Sequence, residues 1–237
     1  MSSAPDFQSM YTDRVRAHGD SFRANGHTPL AFSLRRRLYR YVLTRRLPPA
    51  VGQRPVTFLD SGCGNGCLGP FFRSFLNITR LAGVDFVADA CRIARTRFGY
   101  DETKTGDVLS LGSLFTETFD VVNSCEVFLY IAPEKRPDFW RAHLARLKPG
   151  GVMIMLVPNL RCVWRKVKPI SATFGYPFDL GVLLENVRQL ESVRLEHVCG
   201  VNLFTRTTFD FDASRRQPLK ELLSFELALV LSHVPAG

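Results

Sequence analysis

The chain has 237 residues, 46% hydrophobic and 22% charged, which is enough for one α/β domain with a sizeable core. No stretch approaches the ~18–20 apolar residues of a membrane span, and Met1 to Asp13 lacks a signal-peptide apolar region, so a cytoplasmic location is expected. Six scattered cysteines with no CxxC pair suggest neither a zinc site nor a redox dithiol, and no metal is expected.

Residues 1–50 read as a helical N-terminal cap. Leu34, Leu38, Tyr41 and Val42 recur at helical spacing, and Pro48-Pro49 stops the segment. Asn25-Gly26-His27-Thr28-Pro29 is a turn between two short helices. Much of the net charge of +9 gathers here, in Arg35-Arg36-Arg37, Arg40, Arg45 and Arg46, with a second small cluster at Arg215 and Arg216. Such a face is either solvated or steers an anionic substrate, a phospholipid surface or RNA. No basic run is interleaved with aromatic residues in the sequence, so nucleic acid is not the expected partner, while peripheral membrane contact stays open.

From Val56 onward strands and helices alternate, and residues 51–237 read as one domain. Strands are expected at Val56–Asp60, Arg80–Asp85, Lys104–Asp107, Phe119–Cys125, Val152–Val157 and Val193–Cys199. Helices are expected at Cys67–Asn77, Ala88–Phe98, Glu134–Leu147 and Asp179–Leu190. The alternation predicts an α/β fold, a Rossmann-like doubly wound, mostly parallel sheet with helices on both faces. Ligands of such sheets bind at the carboxyl ends of the strands. The irregular stretch at about 158–178 follows the fifth strand and reads as a lid-like insertion at that end. Pro218 to Val234 reads better as one apolar helix, whose surface would support a homodimer, than as a segment with a strand at Leu227–Ser232.

The segment Val56-Thr57-Phe58-Leu59-Asp60-Ser61-Gly62-Cys63-Gly64-Asn65-Gly66 is a buried strand, an acid and then glycines at every second position. Glycines there let backbone approach a ligand, and a helix starting just beyond would aim free N–H groups into the same space. Two registers compete. Gly64-Asn65-Gly66-Cys67-Leu68-Gly69 matches the dinucleotide pattern GxGxxG, but Asp60-Ser61-Gly62-Cys63 then intervenes between strand and glycines. Asp60-x-Gly62-x-Gly64-x-Gly66 starts at the strand end and uses every residue.

The second register resembles the first signature of class I S-adenosylmethionine-dependent methyltransferases, and four further elements over about residues 56–157 agree. Gly83-Val84-Asp85-Phe86 closes the second strand with an acid, and Gly106-Asp107-Val108 follows the third. Phe119 to Val127 looks like the family's fourth strand and loop, and Leu147-Lys148-Pro149-Gly150-Gly151 has the form of its helix-to-strand junction. The resemblance implies S-adenosylmethionine as cofactor and S-adenosylhomocysteine as product. It implies cofactor contacts from Asp60, Gly62, Cys63, Gly64, Gly66, Asp85, Phe86, Asp107, Val108, Ser124, Cys125 and Glu126. Asp85 would accept both ribose hydroxyls and Asp107 the adenine amino group, while Asp60 would mainly orient the backbone N–H groups of the loop.

Methyl transfer from a sulfonium mainly needs orientation, and no residue is assigned as catalytic. Tyr11, His18, Phe22, Tyr130, Trp164 and Tyr176 are the candidate substrate contacts, with Phe128 and Phe174 as further aromatic candidates. Asn123-Ser124-Cys125-Glu126 stands where methylases of exocyclic and amide nitrogens carry a Pro-Pro motif. The expected reaction is therefore methylation of a small molecule, hydrophobic or anionic, at oxygen or carbon. The alternatives are an RNA methyltransferase, a nicotinamide oxidoreductase and a cofactor-binding relative without turnover.

Overall fold

The computed structural model describes residues 6–163, 175–176, 178–212, 214 and 217–234. Capping chemistry shapes its first elements. Asp6 accepts from the Ser9 N–H at 3.0 Å and starts helix α1 (Phe7–His18). A 3₁₀ turn (Phe22–Asn25) leads to helix α2 (Pro29–Arg45), which Thr28 caps and Pro29 opens. Leu34, Leu38, Tyr39 and Val42 form the buried stripe of α2, at spacings of one, three and four residues. Helix α3 (Pro49–Gly52) follows.

The strands are β1 (Val56–Ser61), β2 (Ile78–Asp85), β3 (Glu102–Thr105), β4 (Phe119–Cys125), β5 (Leu147–Pro158), β6 (Val193–Asn202), β7 (Thr208–Phe211) and β8 (Ser224–His233). The described residues build them into an eight-stranded sheet in the order β3-β2-β1-β4-β5-β8-β6-β7. Pairing is parallel from β3 through β5, and β8 inserts antiparallel between β5 and β6. Helices α4 (Gly69–Arg73), α5 (Ala88–Arg97), α6 (Leu111–Leu114), α7 (Arg136–Leu144), α8 (Leu180–Arg188) and α9 (Pro218–Leu223) fill the connections.

Alternate strand residues enter different cores. Phe58 and Ile154 join one buried cluster, while Leu59, Met153 and Met155 join another. Burial on both faces is what makes these strands read as continuous apolar runs. Connections leave β1 and β4 in opposite directions along the sheet, so the crevice opens at the carboxyl ends of this pair. Among the described residues no helix is long and apolar enough to cross a membrane.

Several expectations need correction. The helix expected over Cys67–Asn77 shrinks to Gly69–Arg73, because Pro70 belongs to a first turn and cannot sit deeper. The Lys-Pro-Gly-Gly segment lies inside β5 rather than ending a helix, with Gly150 at φ 70°. A Cβ on Gly151 would sit 2.9 Å from the Lys148 carbonyl oxygen and 3.1 Å from that of Asp120, so the chain bends where only glycine fits. The apolar helix expected over Pro218 to Val234 is a short helix followed by strand β8, paired on both sides. Since β8 is buried on both faces it shows no period-two alternation, and periodicity could not separate it from a buried helix. Its apolar surface is internal and offers nothing to a second copy. Strand β7 was absent from the sequence reading.

Candidate active site

A cavity of about 690 Å³ opens at the carboxyl ends of β1, β2 and β4. Asp60, Gly62, Cys63 and Gly64 line it from β1 and its loop, and Asp85 and Phe86 from the end of β2. Asp107 and Val108 line it beyond β3, and Cys125 and Glu126 at the end of β4. Gly66 and Ser124 do not reach it. Gly66 (φ 81°) is where the loop presses on α5, since a Cβ there would lie 2.6 Å from the Ala94 Cβ. Ser124 is fully buried inside the sheet.

The loop N–H groups have a different task from the one expected. Gly62 and Cys63 both donate to the Val84 carbonyl at 2.8 and 2.9 Å, and Gly66 donates to that of Cys63 at 3.0 Å. Gly64 donates to Asp85 Oδ2 at 2.9 Å, Asn65 to Asn25 Oδ1 at 3.1 Å and Cys67 to Asn65 Oδ1 at 3.3 Å. Every backbone donor from Gly62 to Cys67 is thus satisfied within the chain. The helix beyond is a single short turn starting at Gly69. This is no phosphate cradle, which a dinucleotide would require. It suits a nucleoside cofactor without phosphate.

Asp60 does not orient that loop. Its Oδ2 accepts from the Tyr100 hydroxyl at 2.5 Å and its Oδ1 from Asn123 Nδ2 at 2.7 Å, while Tyr39 donates to Asn123 Oδ1 at 2.8 Å. Burial pushes the Asp60 carboxyl up to about 6, against the two donors and with help from the nearby Asp85 charge. The loop is held by Asp85 instead, whose Oδ1 also accepts from the Val87 N–H at 3.0 Å. Burial raises the Asp85 carboxyl, and the Val87, Gly64 and Phe86 N–H groups oppose that shift. Each carboxylate oxygen accepts more than one hydrogen bond, so Asp85 retains capacity toward the cavity. Asp107 caps the 3₁₀ turn Val108–Ser110 through the Leu109 N–H at 2.9 Å.

Helix α1 roofs the cavity through Phe7, Tyr11 and Val15. The Tyr11 and Tyr130 hydroxyls meet at 2.5 Å, and Phe7 packs edge-on to Tyr130 with ring centres 4.8 Å apart. Beside them Glu126 adopts φ 60°, a backbone state costly for a residue with a Cβ, and it donates its N–H to the Leu156 carbonyl at 2.9 Å. Behind Glu126 lies Arg35, only 2% exposed, with Nη2 2.5 Å from Glu226 and 3.4 Å from Glu126. Arg35 therefore belongs to the interior and not to a basic rim. Arg35 Nη1 also meets the His27 ring at 2.6 Å. Burial, then Arg35 and Arg14, hold the His27 imidazole well below its ordinary range, so His27 lines the cavity as a neutral ring.

The other substrate candidates are dispersed. His18 is exposed at the end of α1, and Phe22 stacks on Phe32 away from the cavity. Tyr176 donates its N–H to the Leu129 carbonyl at 2.7 Å without lining the cavity, and Phe128 is buried among Phe139, Trp140 and Phe178. Trp164, Phe174 and most of the expected lid lie outside the described residues. Phe7, Asn25, Thr105, Ile131 and Lys135 line the cavity and were not foreseen. Asn25 had a visible signal, the Asn-Gly turn, but a turn explains an Asn without any site.

Residues 58–151 match the family model described as a methyltransferase domain. Over these residues the chain carries a methyltransferase domain. No curated protein matches the chain. Solved structures share the methyltransferase fold at low identity. A methyltransferase from Archaeoglobus fulgidus is 16% identical with a TM-score of 0.62, covering 89% of this chain and 97% of its own. The N-methyltransferase NodS of Bradyrhizobium japonicum, solved with S-adenosylhomocysteine, is 16% identical with a TM-score of 0.63, covering 98% and 100%. A chain of the Haloferax volcanii complex between the Trm112 methyltransferase activator and a methyltransferase is 19% identical with a TM-score of 0.63, covering 99% and 100%. The methyltransferase's cofactor is S-adenosylmethionine and its product S-adenosylhomocysteine, and the phosphate-free glycine loop, with Asp85 beside it, fits both.

Proposed function

We propose that this methyltransferase methylates a small-molecule acceptor at an oxygen or carbon nucleophile, seated at the Tyr11, Tyr130 and Glu126 end of the cavity. The observation that carries the reading is the roof. Helix α1 lies over the crevice and leaves about 690 Å³, within the usual ~300–1,000 Å³ of small-ligand sites. A base within a long polymer would have to enter beneath that helix.

S-adenosylmethionine supplies a methyl group on a sulfonium whose leaving group is a neutral thioether. In this reading Asp85 accepts the ribose hydroxyls, and Phe86, Val87 and Val108, which line the cavity, wall the base. Phe7, Tyr11 and Tyr130 exclude water from the far end. Glu126 is the group there able to take a proton from a hydroxyl acceptor, since His27 is held neutral beside Arg35. Asn123 favours oxygen or carbon over an amino group: its side chain is fully buried and committed to Asp60 and Tyr39, so it does not face an acceptor nitrogen.

The experiment is titration with S-adenosylhomocysteine, followed by turnover on phenols, carboxylic acids, enolisable ketones, amines and short RNA. Calorimetric binding and product formation on a hydroxyl or carbon acid are expected. Turnover confined to amines, as the name of NodS implies for that enzyme, or confined to RNA would defeat the proposal.

A further inference from the structure

A second groove, of about 610 Å³, runs along α2 beside the cofactor cavity. It is lined by Arg36, Arg37, Arg40 and Arg45, with Phe22 and Phe32 at one end. Several arginines elsewhere find carboxylates: Arg54 pairs with Asp120, Arg73 with Asp101 and Arg46 with Asp210. Among the described residues no carboxylate side chain lies within 4 Å of these four guanidinium groups, and the sequence outside those residues contains no Asp or Glu.

The cations are placed by rings. The Arg36 guanidinium lies 4.9 Å from the Phe71 ring centre and 5.9 Å from that of Phe32, and Arg40 lies 5.8 Å from that of Phe75. Arg36, Arg37 and Arg40 crowd one turn of helix, where like charges repel, and no carboxylate among the described residues neutralises them. An oxyanion would. Phe22 stacks on Phe32 at 4.9 Å with 9° between the planes, and Phe32 stacks against His27 at 6.0 Å. His27 and Asn25 line the cofactor cavity. The segment 22–32 is therefore a wall shared by the groove and the cavity.

We infer that the groove is an oxyanion subsite for the acceptor, taking its phosphate or sulfate group while the remainder crosses the shared wall toward the cofactor. This rests on the small-molecule reading above. Arg36 to Arg45 spans roughly 13 Å of helix, room for more than one phosphate. The next cation after Arg45, Arg46, is already committed to Asp210 and Tyr41, so the row of arginines without carboxylates along α2 ends there among the described residues. The concavity also distinguishes it from a surface meant for a flat bilayer.

The test uses the full chain and calorimetry with tripolyphosphate, comparing the parent with an Arg37→Glu/Arg40→Glu double variant. Both positions are exposed, so the variant keeps its fold. Binding by the parent, weakened about tenfold or more in the variant while S-adenosylhomocysteine affinity moves less than about twofold, is the expected result. An Arg37→Lys/Arg40→Lys variant should retain most of the binding. Absent tripolyphosphate binding at low ionic strength, or equal binding by the charge-reversed variant, overturns the inference. A single-stranded oligouridylate arm separates the sources: affinity rising with oligomer length and lost in the variant would reassign the groove to a polynucleotide and also overturn it. Failure to bind S-adenosylhomocysteine, measured in the same parent protein, would instead fault the cofactor reading.

Discussion

Asn25 and Asn65 hold each other across forty residues of chain. Asn25 Nδ2 donates to Asn65 Oδ1 at 3.0 Å, and the Asn65 N–H returns to Asn25 Oδ1 at 3.1 Å. Asn65 Nδ2 also donates to the carbonyls of Gly19 and Ser21 at 3.0 and 2.8 Å. One fully buried amide thereby fastens the roof of the cavity to its glycine loop.

Replacing Asn65 by Ala should consequently loosen the roof before the sheet. Two carbonyls, the Asn25 amide and the Cys67 N–H lose a partner, which costs about 1–3 kcal/mol for a group left unsatisfied. Urea denaturation should show that loss. Hydrogen exchange should quicken over residues 7–25 and stay unchanged in β1 and β4. Uniform quickening throughout the chain would deny the latch.

Asp85 should dominate cofactor affinity. In an Asp85→Asn variant one oxygen becomes a donor facing either the Gly64 or the Val87 N–H, and the capacity left for a ribose hydroxyl shrinks. Calorimetry should show S-adenosylhomocysteine affinity falling about ten- to hundredfold, or roughly 1.4–2.8 kcal/mol. An unchanged affinity would remove Asp85 from the cofactor site.

Asp60 makes stability depend on pH in a stated direction. Its folded carboxyl titrates at about 6, above the ~3.9 of an unfolded aspartate. Between these values the native chain holds a proton that the unfolded chain has released. The contribution is complete below about 3.9, declines as pH rises and is gone above about 6. Unfolding curves of the parent, relative to Asp60→Asn, should fall by about 2–3 kcal/mol across that window and then level off. A flat difference would mean the buried carboxyl is not the titrating group.

Much of this site was legible because the relevant signals are local. Gly62, Gly64 and Asp85 sit where a strand ends and the chain must turn, so their spacing reports the crevice directly. What escaped depends on distance. Whether Asp60 serves the loop or Tyr100 is decided by residues 40 and 63 positions away. Arg35 looked like part of an exposed basic run, since a charge triplet does not reveal that its first member is turned inward against Glu226. Strand β8 reads as a helix because burial on both faces erases alternation, whereas the helical cap that holds α1 was legible, with Tyr11 on its cavity side.

Arg35 and Glu226 give the most demanding stability test. Both are almost fully buried, at 2% and 1% exposure of their side chains, and the guanidinium is also 3.4 Å from Glu126. Burial disfavours the Arg35 charge, but Glu226, Cys125 and Glu126 outweigh it and raise its pKa well above the ordinary range, so the guanidinium stays ionised. Removing one partner should cost far more than removing both, because a buried cation then loses its principal carboxylate. Glu226→Ala is expected to lose about 3–5 kcal/mol by urea denaturation, and Arg35→Met/Glu226→Leu to recover most of it. The recovered protein should still bind S-adenosylhomocysteine but turn acceptors over more slowly, since Glu126 would have lost the cation behind it. Equal losses in the single and double variants would show that packing, rather than the ion pair, holds α2 to β8.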